Sequence, residues 1–281
     1  MNKNIGAVII DTYPDKKMPS IAIEHILKLN FINKIYFLSN ECSNLEVEFI
    51  KIPSIDCART YSDIVLYQLT EHTNEDHILI FQWDGFSIHP EVWTPNFLQY
   101  DYIGAPIYLP NNEVWIGNGG FSLRSRRLLD YLSKEKFQIL EISNDESAED
   151  QVICTHARKL LEKQGFLFPK LNIASKFSYQ NSPSRDLSFG FHGIHNFPYF
   201  LSESKLLEVS NEIFARKNHP QFTIEFFANC LQQGMLDLFR SCLMNFSKNR
   251  NLYDALLWDK GRNPNHNLLD FIIQNKIIPL N

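Results

Sequence analysis

HILIFQWDGF, residues 77–86, is an apolar run that closes on a carboxylate and a glycine. A short apolar run bounded by turn residues reads as a buried strand. A buried strand that ends in Asp84 delivers that carboxylate to the carboxyl edge of a sheet, where open α/β sheets hold their ligands. Gly85 lets backbone come close to a ligand there. Gln82, two positions earlier, is expected on the same strand face as Asp84, and Trp83 on the opposite face, toward the core. An aspartate after a strand also commonly caps the next turn, and both readings of Asp84 stay open at this point. Hard oxygen ligands suit Mg²⁺ or Mn²⁺, which often take one or two protein carboxylates and complete their shell with phosphate oxygens.

Working back from this run, the amino-terminal half alternates strand and helix. IGAVIID (5–11) reads as a buried strand, broken by Pro14 and Pro19. SIAIEHILKLN (20–30) has helical spacing, KIYFLSN (34–40) and VEFIKIP (47–53) are strands, and TYSDIVLYQLTEH (60–72) is a helix with Thr60 as its expected N-cap. Such alternation predicts a mainly parallel sheet covered on both faces, with the strands 5–11 and 77–84 at its centre.

Working forward, residues 85–125 are rich in Pro, Gly, Asn and aromatics, the texture of loops that carry function on a rigid scaffold. GNGGFSLRS (117–125) is a tight turn into a strand; it lacks the GK[ST] of a phosphate loop and the spacing of a dinucleotide fingerprint. Its glycines admit a sugar close to backbone amides, and Asn118 offers donor and acceptor together. SRRLLDYLSKE (125–135) and EDQVICTHARKLLEKQG (149–165) are helices, the second stopped by Gly165. Glu149-Asp150 at that helix start complements the macrodipole; the same pair can also act as a general base. His192 in SFGFHG stands between glycines; a lone histidine is more often structural, but the glycine beyond it leaves room for a metal or a phosphate. Residues 166–200 read as short strands and loops.

From 202 onward the pattern is helical: SKLLEVSNEIFARK, FTIEFFANCLQQG, MLDLFRSCLMNFSK and HNLLDFIIQNK space their apolar residues three to four apart. The expected organisation is a catalytic domain over 1–201 and a helical region over 202–281 that packs on it. The chain has 281 residues, 22 Phe and 11 Tyr, which predicts an aromatic core. A net charge of −5 offers no electrostatic case for nucleic acid. Five cysteines without metal-finger spacing, and an opening apolar stretch too short for a leader or a span, point to reduced thiols in the cytoplasm.

Taken in order, FQWDGF, DYIGAP, GNGGFSLRS, ED and SFGFHG resemble a family of largely uncharacterised bacterial proteins with a predicted GT-A glycosyltransferase fold; the likeness covers roughly residues 50–195. It implies an α/β, Rossmann-type, mainly parallel sheet with flanking helices. It also implies a nucleotide-diphosphate sugar as donor and a glycan or lipid-linked acceptor. Asp11, Thr12 and Tyr13 would wall the nucleotide, with Gln82, Trp83 and Asp84 on the donor side. Asn118, Gly119 and Gly120 would shape the sugar or acceptor pocket. GT-A enzymes usually carry Asp-x-Asp, whereas this chain has Gln82-Trp83-Asp84. Asp84 therefore carries over as the metal ligand, with His192 as the second, for Mn²⁺ or Mg²⁺. The acidic pair resembles that of inverting enzymes, with Asp150 as base and Glu149 as its supporting acid. A helix start favours the ionised form of Asp150, so a partly apolar pocket would have to restore its basicity. The helical region could meet a protein partner or a membrane surface. Two other readings compete: a non-catalytic glycan-binding or scaffold protein, which the missing first carboxylate favours, and a nucleotide-sugar hydrolase, in which Asp150 activates water.

Overall fold

The computed structural model describes residues 3–42, 46–109, 111, 113–143, 147–182, 187–216, 218–244, 250–264 and 267–274. Strands β1 (Ile5–Ile10), β2 (Lys34–Ser39), β3 (Glu48–Lys51), β4 (His77–Phe81), β5 (Tyr102–Gly104), β6 (Pro106–Tyr108), β7 (Val114–Ile116) and β8 (Phe121–Ser125) include all six members of the main sheet. Its order is β3-β2-β1-β4-β8-β5. The first three pairings in that order are parallel, and β8 runs antiparallel to both β4 and β5. The class is α/β with a mainly parallel sheet, and β1 and β4 lie inside it, as the apolar runs require. Every residue of β1 and β4 is buried, which is why both runs lack alternation.

One face of the sheet packs Val8, Ile10, Tyr36, Leu38, Ile78 and Ile80 against Ile64, Val65 and Leu69 of helix 58–72 and Leu129 of helix Arg126–Lys134. Elsewhere in this unit the core is aromatic: Phe97 and Phe121 meet Phe177 at 5.3 and 5.4 Å between centroids, and Phe86 meets Phe191 edge-on at 4.8 Å.

Several local expectations change. β4 ends at Phe81, and Gln82–Gly85 form a tight turn closed by hydrogen bonds in both directions between Gln82 and Gly85. Gln82 and Asp84 therefore do not share a strand face, and Trp83 is half-buried rather than core. Helix 58–72 starts at Ala58 with Cys57 as N-cap, and the Thr60 hydroxyl donates to Asp56 instead of capping. The first helix spans Lys17–Ile26 and takes Pro19 into its first turn, where a missing N–H costs nothing. Leu171–Phe177, read as loop or strand, is helical. The helix opened by Glu149 runs to Lys163 and is interrupted by a π turn at Val152–His156; Gly165 follows it with φ +78°. Helix 58–72 carries a similar π turn at Ile64–Gln68. Such turns recur beside functional sites.

The chain divides into two compact units, Met1–His192 and Gly193–Asn281. The second contains Glu203–Ala215, Pro220–Gln232, Leu236–Met244, Arg250–Arg262 and Leu268–Gln274, all helical. Arg250–Arg262 was not among the four segments with clear spacing. Residues 217, 245–248, 266 and 275–276 of those segments lie outside the described residues. Phe214, Phe226, Phe227 and Phe239 form the aromatic centre of this unit, with centroids 5.4–5.6 Å apart. Among the described residues no helix is long and apolar enough to cross a membrane.

At the amino end of β4, His77 is 2% exposed, with the Tyr100 backbone as a neighbour that only weakly supports its charged form. Burial, with help from Lys3, depresses it to about 4. The folded chain therefore keeps His77 neutral while the unfolded chain takes up a proton below about 6.5. Stability should be full above that pH, fall as pH drops toward about 4, and level off below, a loss of up to roughly 3 kcal/mol. Urea unfolding at pH 7 and pH 4.5 checks this. His77→Phe should show a pH slope shallower by about one proton, and an unchanged slope would refute the assignment.

Candidate functional site

Three strand ends and one return loop meet at the carboxyl edge of β1 and β4. β1 delivers Asp11, which is buried; its Oδ1 accepts from the Tyr13 amide at 2.9 Å, and the Thr12 hydroxyl oxygen accepts from the Ile55 amide at 2.9 Å. Lys16 folds back to donate to the Asp11 and Tyr13 carbonyls. This loop is thus a braced wall at the edge of β1, next to the end of its partner β4.

β4 delivers the Gln82–Gly85 turn. Because β8 is antiparallel to β4, with Phe81 opposite Phe121, the start of β8 lies at the same edge. That places Asn118–Gly120 beside Gln82. The return loop, a fourth segment, closes the site: Gly190 bridges to Ser87, and the Phe191 amide donates to the Phe86 carbonyl. His192 follows directly.

The contacts between these segments leave no room for side chains on two glycines. A Cβ on Gly120 would overlap the His192 ring and sit 2.9 Å from Gln82 Oε1. A Cβ on Gly85 would lie 2.9 Å from His192 Cδ2 and 3.0 Å from the Gly120 carbonyl oxygen. His192 Nε2 lies 3.6 Å from Asp84 Oδ1 and 3.2 Å from Gln82 Oε1, while its Nδ1 lies 3.2 Å from Gln180 Oε1. Asp84 Oδ1 is buried and has no hydrogen-bond partner. Gln82 Nε2 donates to the Tyr61 hydroxyl at 2.7 Å.

On the other side of the glycine loop stands the acidic pair. The Gly119 amide donates to Asp150 Oδ2 at 2.9 Å, and the Gln151 amide to Asp150 Oδ1 at 2.7 Å. The Gly120 amide donates to Asn118 Oδ1, and the Ser122 hydroxyl to the Gly119 carbonyl, both at 3.0 Å. Burial and the adjacent Glu149 carboxylate push Asp150 up to about 7, against the pull of the Gly119 amide and Arg124. The helix start alone would have lowered it; desolvation wins.

Glu149 is buried beneath Gly119 and accepts from Arg124 Nη2 at 2.6 Å. Burial works against the Arg124 charge, but the Glu149 partner holds its pKa above the ordinary value. The Tyr61 and Tyr102 hydroxyls are both pushed up, mainly by burial. Tyr102 donates to the Gly117 carbonyl at 2.7 Å, and Cys154 packs against Gly117, whose φ is +146°.

All twelve residues singled out from the sequence lie at this edge or on the loops that reach it. Asp84, Gln82, Gly120 and His192 form one contacting group, and Gly119, Glu149 and Asp150 another; the shared peptide 119–120 joins them. Tyr61, Arg124, Gln180, Tyr102 and Cys154 were missed. Arg124 carried a visible signal, a lone cation inside a strand otherwise free of charge (FSLRS). Tyr61 and Gln180 carried none. Among the described residues no group of three or more His, Cys, Asp or Glu is arranged to hold a metal ion. Asp84 and His192 are a pair that would need ligand oxygens to complete a shell.

A family model described as "Protein of unknown function (DUF5672)" matches residues 44–192. No curated protein matches the chain by sequence. Among solved structures, the apo form of the glycosyltransferase GlyE from Streptococcus pneumoniae TIGR4 is 12% identical, with a TM-score of 0.44 over 68% of this chain and 54% of that one. The chain thus spans about half the length of that protein. A glycosyltransferase involved in glycosylation of the major capsid of PBCV-1 is 13% identical, with a TM-score of 0.42 over 67% and 92% of the two chains. Glucosyl-3-phosphoglycerate synthase from Mycobacterium tuberculosis, in complex with Mn²⁺, UDP and glucosyl-3-phosphoglycerate, is 11% identical, with a TM-score of 0.31 over 44% and 57%.

Proposed function

The chain belongs to the family described as a protein of unknown function, DUF5672, and we propose that it is a metal-assisted, inverting glycosyltransferase with a GT-A-like catalytic unit. It would move a sugar from a nucleotide-diphosphate donor to a hydroxyl of a glycan or lipid-linked acceptor. The observation that carries this reading is the joining of two groups through one peptide. A raised carboxylate, Asp150, sits on the Gly119 amide, and Gly120 lies against the His192–Asp84 pair.

In this reading the loop Asp11–Tyr13 and the turn Gln82–Asp84 hold the nucleotide diphosphate. The buried, unpartnered Asp84 Oδ1 facing a histidine nitrogen fits a hard divalent cation. Without a cation His192 Nε2–H can donate to Gln82 Oε1; holding one would need Nε2 unprotonated, with Nδ1–H donating to Gln180. Mn²⁺ or Mg²⁺ held there would offset the charge that develops on the leaving diphosphate. Asp150 takes the proton of the acceptor hydroxyl. That oxygen bonds to the anomeric carbon from the face opposite the breaking bond to the diphosphate oxygen, and the nucleoside diphosphate leaves with the bonding pair. A single displacement inverts the anomeric centre. Asn118 and the flat Gly119–Gly120 backbone would carry the transferred sugar or the acceptor.

A calorimetric or thermal-shift screen of nucleotide-diphosphate sugars with and without Mn²⁺ tests the donor half. A ligand that binds only the native state should raise stability by roughly 2.7 kcal/mol at a hundredfold excess over its dissociation constant. Asp84→Asn should keep the fold and lose the metal-dependent part of nucleotide binding; unchanged metal-dependent binding would sink the role given to Asp84. Donor turnover without any acceptor would favour the hydrolase, and glycan binding without turnover the scaffold.

A further inference from the structure

The carboxylate that the proposed reaction needs stands beside a charge pair that the reaction does not use. Arg124 on β8 has no exposed surface. Its Nη2 donates to Glu149 Oε1 at 2.6 Å and its Nε to Ser122 Oγ at 3.2 Å, while its guanidinium lies 5.0 Å from the Tyr102 ring centre. Its Nη1 is buried with no hydrogen-bond partner. A fully buried pair of this kind is weak as a stabilising device, because desolvation consumes most of the attraction. An unsatisfied N–H makes it weaker still. The pair therefore calls for a role beyond stability.

Its place supplies one. Glu149 lies so close under Gly119 that a Cβ there would overlap its carboxylate. The Gly119 amide in turn donates to Asp150. Arg124, Glu149, the 119 peptide and Asp150 form an unbroken chain of contacts from the sheet interior to the half-buried carboxylate. We propose that Arg124 is a positioning residue for Asp150: it fixes Glu149 beneath the Gly119 peptide and balances the Glu149 charge, so that the Asp150 carboxylate is held on the Gly119 amide in basic form. This rests on the reading of Asp150 as the base.

The groups that face Asp150 are Glu149 on its own helix, Arg124 on β8, Tyr102 on β5, Tyr61 on helix 58–72 and Cys154 on the π turn. The two phenols and the thiol are all held neutral by burial. Arg124 is then the one cation of this set and Glu149 the one other anion. Removing either charge must move Asp150 in opposite directions. A pair that does not act on Asp150 predicts no such opposition.

The test is the titration of the Asp150 carboxyl by ¹³C NMR in the full chain, followed in wild type, Arg124→Met, Glu149→Gln and the double variant. Arg124→Met should raise the Asp150 midpoint and Glu149→Gln lower it, each by roughly one unit or more, the size of a near-charge effect. The double variant should return close to wild type. Two single variants that shift the same way, or not at all, overturn the proposal. Should Arg124→Met not fold, Arg124→Gln takes its place and is read the same way: an upward shift supports the proposal and no shift overturns it. The readout needs no substrate, so the two ideas separate. Opposite shifts together with an Asp150→Asn protein that still transfers sugar would remove Asp150 as base and leave the positioning intact. Loss of transfer in Asp150→Asn with unmoved midpoints would do the reverse.

Discussion

Asp150→Asn is expected to leave the fold and donor binding unchanged and to cut sugar transfer by roughly 10²–10⁴-fold, the usual worth of a general base. The amide is nearly isosteric, but its single carbonyl oxygen can keep only one of the two bonds that the Gly119 and Gln151 amides now donate to separate carboxylate oxygens, so a small loss of stability is expected beside the loss of transfer. What it loses is the lone pair that receives the acceptor proton. The wild-type rate should also carry the signature of this group. Burial and Glu149 place Asp150 at about 7, and the base works only when ionised, so transfer should rise with pH through about 7 and then level. That limb should vanish from any residual activity of Asp150→Asn. A variant that transfers at near wild-type rate, or a wild-type profile flat from pH 5 to 8, would exclude Asp150.

Glu149→Ala is expected to be strongly destabilising. It leaves the Arg124 guanidinium wholly buried, with Ser122 as its remaining side-chain hydrogen-bond partner. Breaking a buried pair by removing one partner costs about 3–5 kcal/mol. For a unit of this size that corresponds to a fall in melting temperature of roughly 6–20 °C. Calorimetry or thermal circular dichroism measures it. Glu149→Gln, which keeps the shape and an acceptor oxygen for Arg124, should fall well short of that loss. Equal losses in the two variants would mean that the carboxylate charge is not what Arg124 requires. The contrast also reassigns Glu149: the sequence places it beside the base as a supporting acid, and its burial against Arg124 favours a counter-ion.

The legible part of the site was the part written in local pattern. Asp84 could be placed at a sheet edge because an apolar run ends there, and Gly119–Gly120 could be placed in a tight turn because glycines cluster. The strand boundary was less legible. HILIFQWD reads as strand to its end, yet hydrogen bonds between Gln82 and Gly85 turn the chain after Phe81. Apolar Trp83 carried the pattern past the turn. Tyr61 was read only as a helix residue, since nothing nearby announces that its hydroxyl will meet Gln82. The basicity of Asp150 could be argued in either direction from sequence. The helix start favours the ionised form and an apolar pocket the neutral one, and the balance depends on how much protein covers the group.

By itself the sequence determined the α/β class, the central places of β1 and β4 and the helical character of most described residues after 202. Those features rest on periodicity, which each segment carries alone. Tertiary structure decided which distant segments share an edge. The antiparallel entry of β8 next to β4 brings Gly119 and Gly120 to Gln82, and the pairing at Ser87–Gly190 brings His192 to Asp84. It also decided the basicity of Asp150, because a carboxylate's pKa follows its desolvation and its neighbours, and both are set only when Arg124, Glu149 and Asp150 are folded against one peptide.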